Sequence, residues 1–248
     1  AQPWGAPQTR VSEIADGTGS VWEWNYTERI GVQLDGETTA YILNVDQTLL
    51  LDGYPLYWTS TVPNQPVTAW YPATDGTLDL RDQDTNGLAY LLHGTGKGDY
   101  QTPVTLTFTH SLAKVRVTPS DAIGDGEITS LQLYTYRTCT YNQGKVVRGT
   151  DEGWIEMKPC EYNGVTCWEA NVVPGKEITK LRANGTEERT LSAAINPEAG
   201  SFYNITLNND KGYTDDGNGN YTVTTAEGLK AVADIANNGN RGINITLD

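Results

Sequence analysis

Apolar and polar residues alternate along much of the chain in short runs. In the segment 104–109, Val104, Leu106 and Phe108 fall on one side of an extended chain and three threonines fall on the other. This period of two is typical of β-strands that bury one face. Such runs recur at intervals of about 8–12 residues between glycine- and proline-containing segments, which predicts an all-β chain of the antiparallel β-sandwich type.

The clearest predicted hairpin lies near residue 35. Residues 29–34 and 39–45 are both strand-like, and Asp35-Gly36 between them is the signal of a type I′ turn. Residues 88–92 fit either a helical turn or a strand, which Gly94, Gly96 and Gly98 are expected to end. Further strands are predicted at 21–26, 49–51, 56–59, 67–72, 128–136, 145–147, 154–157, 168–173, 178–181, 188–193 and 202–207.

Loop-rich stretches divide the chain into predicted domains. Residues 1–10 contain two prolines and no periodicity, so we expect a flexible N-terminal arm. The loop-rich segment 73–103 marks a domain boundary at its end, which gives a first sandwich at 11–103 and a second at 104–209. Residues 210–248 are interpreted as a polar linker followed by the start of a further module.

The C-terminal residues have a different pattern. Thr224 and Glu227 form a capping box, and Leu229, Val232, Ala233 and Ala236 keep a helical stripe ahead of a strand at 243–247. A β-α-β start of this kind cannot bury its apolar face alone. Two explanations stay open: the chain is a fragment of a longer protein, or the tail docks on the second sandwich.

Charge narrows the function classes. The chain has 17 basic and 31 acidic residues, a formal net charge of −14. This field repels nucleic-acid phosphates and anionic lipid, so binding of nucleic acid by charge is excluded. No run of 18 apolar residues predicts a membrane-spanning helix, and since no leader begins the chain, any export signal is expected to have been removed.

One motif is typical of a calcium loop. Asp82, Asp84 and Asn86 match the first positions of D-x-D-x-N-G, but His93 stands where a bidentate glutamate is needed. An Asx-rich turn is the competing interpretation. Residues 94–98 lack the spacing of a phosphate loop, and the only two histidines, His93 and His110, predict no triad. No catalytic residue and no cofactor are therefore predicted.

Aromatic residues and cysteines leave alternatives open. Trp58, Trp70 and Tyr71 could form a stacking platform for sugars, or they could fill a two-sheet core. Cys160 and Cys167 flank the turn signal Asn163-Gly164 and could pair across it, or all three cysteines could be free thiols. Their spacing does not indicate a zinc site.

A series of motifs, in order over about residues 10–208, resembles the fimbrillin-like (Mfa-like and FimA-like) surface proteins of Bacteroides-type bacteria. The segment 106–117 resembles their L-x-F-x-H-x-L-A-K-V-x-V signature. Other segments resemble family motifs too: Trp24 to Val32 (a strand leading into I-G-V), Pro55 to Trp58 (P-I/L-Y-W), Val67 to Pro72 (V-x-A-Y/W-Y-P), Asp82-Gln83 with 88–92 (D-Q…L-L-Y-A), Trp168 to Pro174 (W-x-A-x-V-x-P) and Gly200 to Leu207 (G-x-x-Y-x-x-x-L).

The resemblance implies two tandem transthyretin-like β-sandwiches, secretion as a lipoprotein, and display on the outer membrane or in a fimbria. It also implies that the motif at 82–86 is a family loop. In polymerising members a protease cuts after an N-terminal Arg, here Arg10, and a neighbouring subunit's strand fills the groove that opens. Residues 221–248 depart from stalk subunits, which favours a tip, anchor or adhesin.

The sequence therefore predicts a non-enzymatic adhesin or pilus component. Its expected partners are other pilus subunits, by strand exchange, and host proteins or glycans. Membrane contact would come only through a removed lipoprotein anchor. A carbohydrate-binding module of a surface glycan system is the alternative, and a hydrolase needs paired carboxylates in a cleft.

Overall fold

The computed structural model describes residues 2–3, 12–21, 28–44, 46, 48–120, 128–208, 212–237 and 242–248. Within these ranges the chain forms mostly antiparallel sheets and two helices, so the all-β prediction is confirmed. The predicted strand at 21–26 lies mostly outside the described residues. No helix in the described part is long and apolar enough to cross a bilayer.

The elements follow one another along the chain in an order dominated by strands. They are β1 (Gln2–Pro3), β2 (Ser12–Glu13), β3 (Ser20–Val21), β4 (Arg29–Leu34), β5 (Glu37–Leu43), β6 (Leu49–Leu51), β7 (Gln65–Tyr71), β8 (Gly76–Asp79), α1 (Gln83–Asn86), β9 (Leu92–Gly98), β10 (Thr107–His110), β11 (Ala113–Pro119), β12 (Leu131–Asn142), β13 (Lys145–Glu156), β14 (Lys158–Tyr162), β15 (Val165–Val172), β16 (Ile178–Ala183), β17 (Glu187–Ile195), β18 (Ser201–Leu207), β19 (Tyr213–Asp215), β20 (Asn220–Val223), α2 (Ala226–Asn237) and β21 (Asn244–Leu247).

The first large sheet has six strands in the order β10-β9-β7-β4-β5-β6. Its centre is the predicted hairpin of β4 and β5, in which Leu34 pairs with Glu37 across the turn. Asp35 and Gly36 both have positive φ, at 51° and 86°, as a type I′ turn requires. The prediction made from Asp35-Gly36 is confirmed.

Strand β9 corrects the expectation that three glycines break the chain. Gly94, Gly96 and Gly98 all lie within β9 and share one face of it. A Cβ atom on Gly96 would lie 2.5 Å from the carbonyl oxygen of Thr105, and one on Gly94 would lie 2.8 Å from the Phe108 ring. The glycines are there because the following chain packs directly on the sheet, and that contact cannot be seen from local sequence.

Two more sheets are built mainly from residues after 104. One has the order β1-β18-β11-β15-β14, and the other has the order β13-β12-β16-β17 with β8 pairing to β12. Strands β1 and β8 come from the first half of the sequence but join sheets of the second half. The predicted boundary at 103/104 therefore does not separate the strands of the two halves.

The core of these sheets comes from alternating apolar positions. On β11, Ala113, Val115 and Val117 have no exposed surface. Leu131 and Leu133 on β12 are equally buried. The apolar face of each strand thus follows the period of two seen in the sequence.

By contact density the chain splits into two compact units. The first contains the described residues up to Pro119 together with 128–206, and the second contains Ser120 and the described residues from Leu207 onward. In the second unit β19, β20 and β21 form a sheet in which β20 and β21 are parallel. Helix α2 connects these two strands, as the predicted β-α-β start requires.

Helix α2 differs from the prediction in its start and its buried face. Thr225, not Thr224, is the N-cap, since its hydroxyl oxygen accepts a hydrogen bond from the Gly228 amide at 3.0 Å. Val232 is fully buried and Ile235 packs with it, whereas Leu229 is 41% exposed. The buried stripe is therefore rotated from the predicted one.

Candidate functional site

An apolar groove lies over one face of the six-stranded sheet. Its volume is about 660 Å³, within the range of about 300–1,000 Å³ typical of ligand sites. Strands β4 to β7 and β10 and two irregular segments line it, and all but two of the lining side chains are apolar. They are Ile30, Val32, Leu34, Tyr41, Leu43, Thr48, Leu49, Leu56, Trp58, Val67, Val104, Thr105, Leu106 and Phe108.

One wall of the groove is an extended segment, residues 56–61. Its burial alternates, with Leu56 and Trp58 half-buried against the groove and Tyr57 and Thr59 exposed. The sequence predicted a strand at 56–59, yet this segment pairs with no strand in the described part of the chain. The Thr59 hydroxyl donates a hydrogen bond to the Asp35 carboxylate, which ties the segment to the turn of β4 and β5. The segment is therefore strand-like in its side chains but not in its hydrogen bonding.

Another part of the groove lining is the segment 104–106, which precedes β10. Val104 and Leu106 line the groove and Thr105 is exposed, so the alternation of β10 extends back to Val104. The predicted run from 104 onward is confirmed as a strand only from Thr107. The close approach of this segment to Gly96 and Gly98 holds it flat against β9.

Three exposed tyrosines lie within a few residues, along the chain, of the two segments that line the groove. Tyr54 is 89% exposed and Tyr57 is 74% exposed, and Tyr100 is 57% exposed. Large exposed aromatic side chains are typical of contact surfaces. Sequence reasoning missed these residues, although the alternation around Leu56 and Trp58 already placed Tyr57 on the outer side.

The predicted sugar-stacking platform is not assembled. Trp70 is only 3% exposed, and its indole N–H donates to the carbonyl of Ala73 at 3.1 Å. Trp70 and Tyr71 are consecutive in β7, so their side chains lie on opposite faces of the sheet. Trp58 and Tyr71 pack against the apolar cluster of the groove. The core interpretation of these aromatics fits their placement.

The candidate calcium residues lie on an exposed helical turn. Asp82 precedes α1, and Asp84 and Asn86 are two apart within it, a spacing at which helical side chains do not face each other. Among the described residues, no three His, Cys, Asp or Glu side chains are grouped to hold a metal ion. Gln83, within the same loop, is buried.

Gln83 fixes this loop to β15. Its side-chain oxygen accepts from the Asn171 amide at 3.0 Å, and its side-chain nitrogen donates to the Asn171 carbonyl at 2.9 Å. The same oxygen accepts from the Ala89 amide at 3.2 Å. The motif therefore has a structural role through Gln83 rather than through its acidic residues.

The sheet β1-β18-β11-β15-β14 carries a buried ionic cluster on one face. Lys114 and Glu169 have no exposed surface, and their Nζ and Oε2 atoms are 3.0 Å apart. Arg116 donates from Nη2 to the other carboxylate oxygen at 2.7 Å. The Tyr162 hydroxyl donates to Glu169 Oε2 at 2.9 Å. Burial opposes the charge of Arg116, but the adjacent Glu169 carboxylate raises its pKa above the usual value.

The turn between β2 and β3 covers this cluster. Lys114 donates to the carbonyl of Gly17 and Arg116 to the carbonyl of Asp16, each at 3.0 Å. Gly17 has φ of 66°, and a Cβ atom there would lie 2.0 Å from Arg116 Nη2. Hydrogen bonds from the Thr18 amide and hydroxyl lower the pKa of Asp16. Arg10, the predicted cleavage residue, lies outside the described residues.

The sequence contains a signal for the two cations of this cluster. Lys114 and Arg116 occupy alternate positions in an otherwise apolar strand, L-A-K-V-R-V. Two cations on one face of a strand next to a buried face indicate a buried partner anion. The partner itself, Glu169, is 53 residues from Arg116 in the chain and could not be identified by spacing.

The remaining reactive side chains are buried or bonded. His93 Nδ1 lies 3.0 Å from the Gln143 carbonyl oxygen, and His110 is buried near the Tyr90 ring. All three cysteines are free thiols. Burial raises the pKa of Cys139 to about 11, and burial together with Glu169 raises those of Cys160 and Cys167 to about 11 and about 12.

Solved structures of similar fold come from Bacteroides. A candidate cell adhesion protein of Bacteroides uniformis superimposes with a TM-score of 0.54 at 18% identity, over 84% of this chain and 94% of its own. One from Bacteroides ovatus gives 0.56 at 14% identity, over 84% and 93%. One from Bacteroides thetaiotaomicron gives 0.50 at 22% identity, over 78% and 85%.

These likenesses extend over most of the chain. At such identities they show a shared fold, and the resemblance seen in the sequence is confirmed at that level. No protein-family model matches the chain, and no curated protein does.

Proposed function

We propose that the chain is a non-enzymatic cell-surface protein of the fimbrillin-like type, an adhesin or pilus component that assembles with partner subunits by β-strand addition. One observation carries the proposal: a half-enclosed apolar groove is flanked by segment 56–61, which pairs with no strand of the described chain. The shared fold with candidate adhesion proteins supports it.

Strand addition needs backbone hydrogen bonds for affinity and pockets for alternate side chains. The backbone of 56–61 offers the first, because its peptide groups lie outside every ladder described. The groove offers the second, because its lining is apolar on both walls. An incoming strand would place every second side chain among Val32, Leu43 and Leu106.

The finer features of the proposal come from the family resemblance. They are two tandem transthyretin-like domains, lipoprotein export to the outer membrane or a fimbria, and processing at Arg10. A tip or anchor role is favoured over a stalk role because β21 is hydrogen-bonded to β20 in a sheet of its own, so that it is not an extended donor strand.

Strand addition at the groove can be tested by substituting two adjacent residues, Leu56 and Tyr57, whose side chains point in opposite directions. We expect Leu56→Asp to place a carboxylate in the groove and to reduce assembly with co-expressed subunits of the same fimbrial system by about tenfold or more. Tyr57→Asp is the matched control, because Tyr57 faces away from the groove. Assembled complexes are quantified by size-exclusion chromatography and gel electrophoresis, with circular dichroism to confirm folding.

Hydrogen exchange gives a second measurement on the same segment. Amides of 56–61 should exchange fast in the free protein and slow down by about tenfold or more on assembly, because only a ladder protects them. Strand addition is ruled out at this groove if Leu56→Asp assembles like the wild type, or if these amides stay unprotected in the complex.

A glycan-binding function is the second candidate, and the exposure of Tyr54 and Tyr57 favours it. Their rings are free to stack on sugar faces, unlike those of Trp58, Trp70 and Tyr71. If sugars bind here, Tyr54→Ala with Tyr57→Ala should abolish binding on a glycan array, whereas Tyr100→Ala should leave it intact. Equal binding by all variants would contradict this function.

A further inference from the structure

Two of the three thiols lie directly opposite each other. Cys160 on β14 pairs with Cys167 on β15, in a hairpin closed by Asn163 and Gly164. Both turn residues have positive φ, at 54° and 78°, which fixes a two-residue turn and therefore the register. Because directly opposed residues point to the same face of a sheet, the two thiols are neighbours.

The backbone spacing at this position suits a disulfide. Tyr162 and Val165 flank the turn as a hydrogen-bonded pair, and Cys160 with Cys167 is the next such pair along the ladder. Opposed Cα atoms in such a pair are about 5.5 Å apart, and disulfides need Cα atoms about 4.4–6.8 Å apart. A disulfide also needs Cβ atoms about 3.5–4.5 Å apart, whereas opposed Cβ atoms in a sheet are about 4.5–5.5 Å apart. The two strands must therefore close slightly at this position when the bond forms.

The surroundings of the two thiols differ. Cys160 is half-buried on β14, the outermost strand of its sheet, and Cys167 is 2% exposed beside it. Cys160 Sγ lies 3.7 Å from Glu169 Oε2 at the rim of the ionic cluster. Cys139 belongs to a separate apolar cluster on β12, with Leu80, Leu91 and Leu112.

We propose that Cys160 and Cys167 are a redox pair that forms a cross-strand disulfide when the protein meets a small-molecule or protein disulfide oxidant, and that Cys139 stays a thiol. This covalent site is independent of the adhesin function. The bond would join the outermost strand β14 to β15 beside the cluster that holds the β2–β3 turn.

The reaction is two successive thiol–disulfide exchanges. Cys160, the more accessible thiol, loses its proton, and its sulfur attacks the oxidant's disulfide; one thiol leaves, and a mixed disulfide remains. Cys167 then loses its proton and attacks Cys160 Sγ, which releases the second thiol. The two cysteines lose two electrons and two protons, and the oxidant's disulfide gains them as two thiols.

Burial keeps the pKa values of both thiols high, at about 11 and about 12, and so slows this reaction at neutral pH. The rate should rise about tenfold per pH unit between pH 7 and 9, because the thiolate fraction rises by that factor well below the pKa.

The test uses the full chain, refolded from urea in buffers of reduced and oxidised glutathione. Remaining thiols are labelled with N-ethylmaleimide in denaturant and located by peptide mass spectrometry. Folded wild type should lose about 2 Da, keep one labelled thiol at Cys139, and yield a peptide linked between 160 and 167. Cys139→Ser should form the same link and keep no labelled thiol.

Chain proximity alone is tested by the same titration in urea. The folded protein should form the 160–167 link at an oxidised-to-reduced glutathione ratio about tenfold or more lower than the unfolded chain needs, because its register places the thiols together. Three labelled thiols after oxidation, glutathione held on Cys160, a link to Cys139, or the same ratio with and without urea would each overturn the proposal.

Discussion

At the scale of single residues, the cluster of Lys114, Arg116 and Glu169 shows how a buried charge is tolerated. A buried ion is costly unless it is paired and its remaining hydrogen-bonding capacity is used. Glu169 meets both conditions, with two cations and the Tyr162 hydroxyl on its two oxygens. Each cation also donates to one backbone carbonyl, Lys114 to that of Gly17 and Arg116 to that of Asp16. The cluster is therefore a satisfied network.

We expect Glu169→Gln to lower the free energy of unfolding by about 3–5 kcal/mol, because two cations would stay buried without their carboxylate. Glu188→Gln is the matched control: it removes the partner of Arg182 from an exposed pair and should leave the free energy of unfolding nearly unchanged. Urea unfolding followed by circular dichroism measures both. Equal losses in the two variants would show that the cluster is not a stabilising network.

At the scale of elements, strand β9 is stabilised by the segment and the strands that pack against it. Its glycines lie at every second position, on the face approached by segment 104–106 and by the Phe108 ring. Glycine weakens an isolated strand, so β9 depends on its two neighbours, β7 and β10. The strand and the groove wall at 104–106 are therefore one structural unit.

Gly96→Val should destabilise the fold by about 2 kcal/mol or more, because its side chain would overlap the Thr105 carbonyl and Val104. Thr95→Val, on the opposite and exposed face of β9, should change stability by no more than about 0.5 kcal/mol. Thermal and urea unfolding measure both variants. If Gly96→Val is as stable as Thr95→Val, the close packing of this wall is wrong.

The two cases also show how far sequence reaches. The β4–β5 hairpin could be predicted because Asp35-Gly36 determines its turn locally. Strand β9 could not be predicted, because its glycines are required by the close approach of Thr105 and Phe108, which local sequence does not reveal. Segment 56–59 has the alternation of a strand, but pairing depends on a partner that local pattern does not specify. The groove depends on that same missing information, so its residues were not predicted.

At the scale of the whole molecule, the charge balance affects stability as well as partner choice. The formal net charge of −14 produces self-repulsion that favours expanded states. Most of the ion pairs described are exposed, as in Arg81–Asp79 and Arg137–Asp151, and such pairs contribute little. Screening by salt should therefore weaken the repulsion among the acidic residues more than it weakens the attraction within the exposed ion pairs.

Raising NaCl from about 10 mM to about 0.5 M at pH 7 should increase the unfolding temperature by a few degrees, since the Debye length shortens from about 30 Å to a few ångströms. Calorimetry measures the shift. The same titration at pH 5, close to the pI of about 4.5, is the control and should give a smaller shift. A fall in unfolding temperature at pH 7 would mean that the ion pairs outweigh the repulsion.

The hydrogen bonds from Lys114 and Arg116 to the β2–β3 turn have a consequence for biosynthesis. Gly17 is synthesised 97 residues before Lys114, whose side chain donates a hydrogen bond to the Gly17 carbonyl oxygen. A ribosome adding about 5–20 residues per second needs about 5–20 s to span that gap. During that interval the nascent turn lacks the Lys114 side chain that binds the Gly17 carbonyl. The complete ionic cluster beneath the turn cannot form until Glu169 has also been translated.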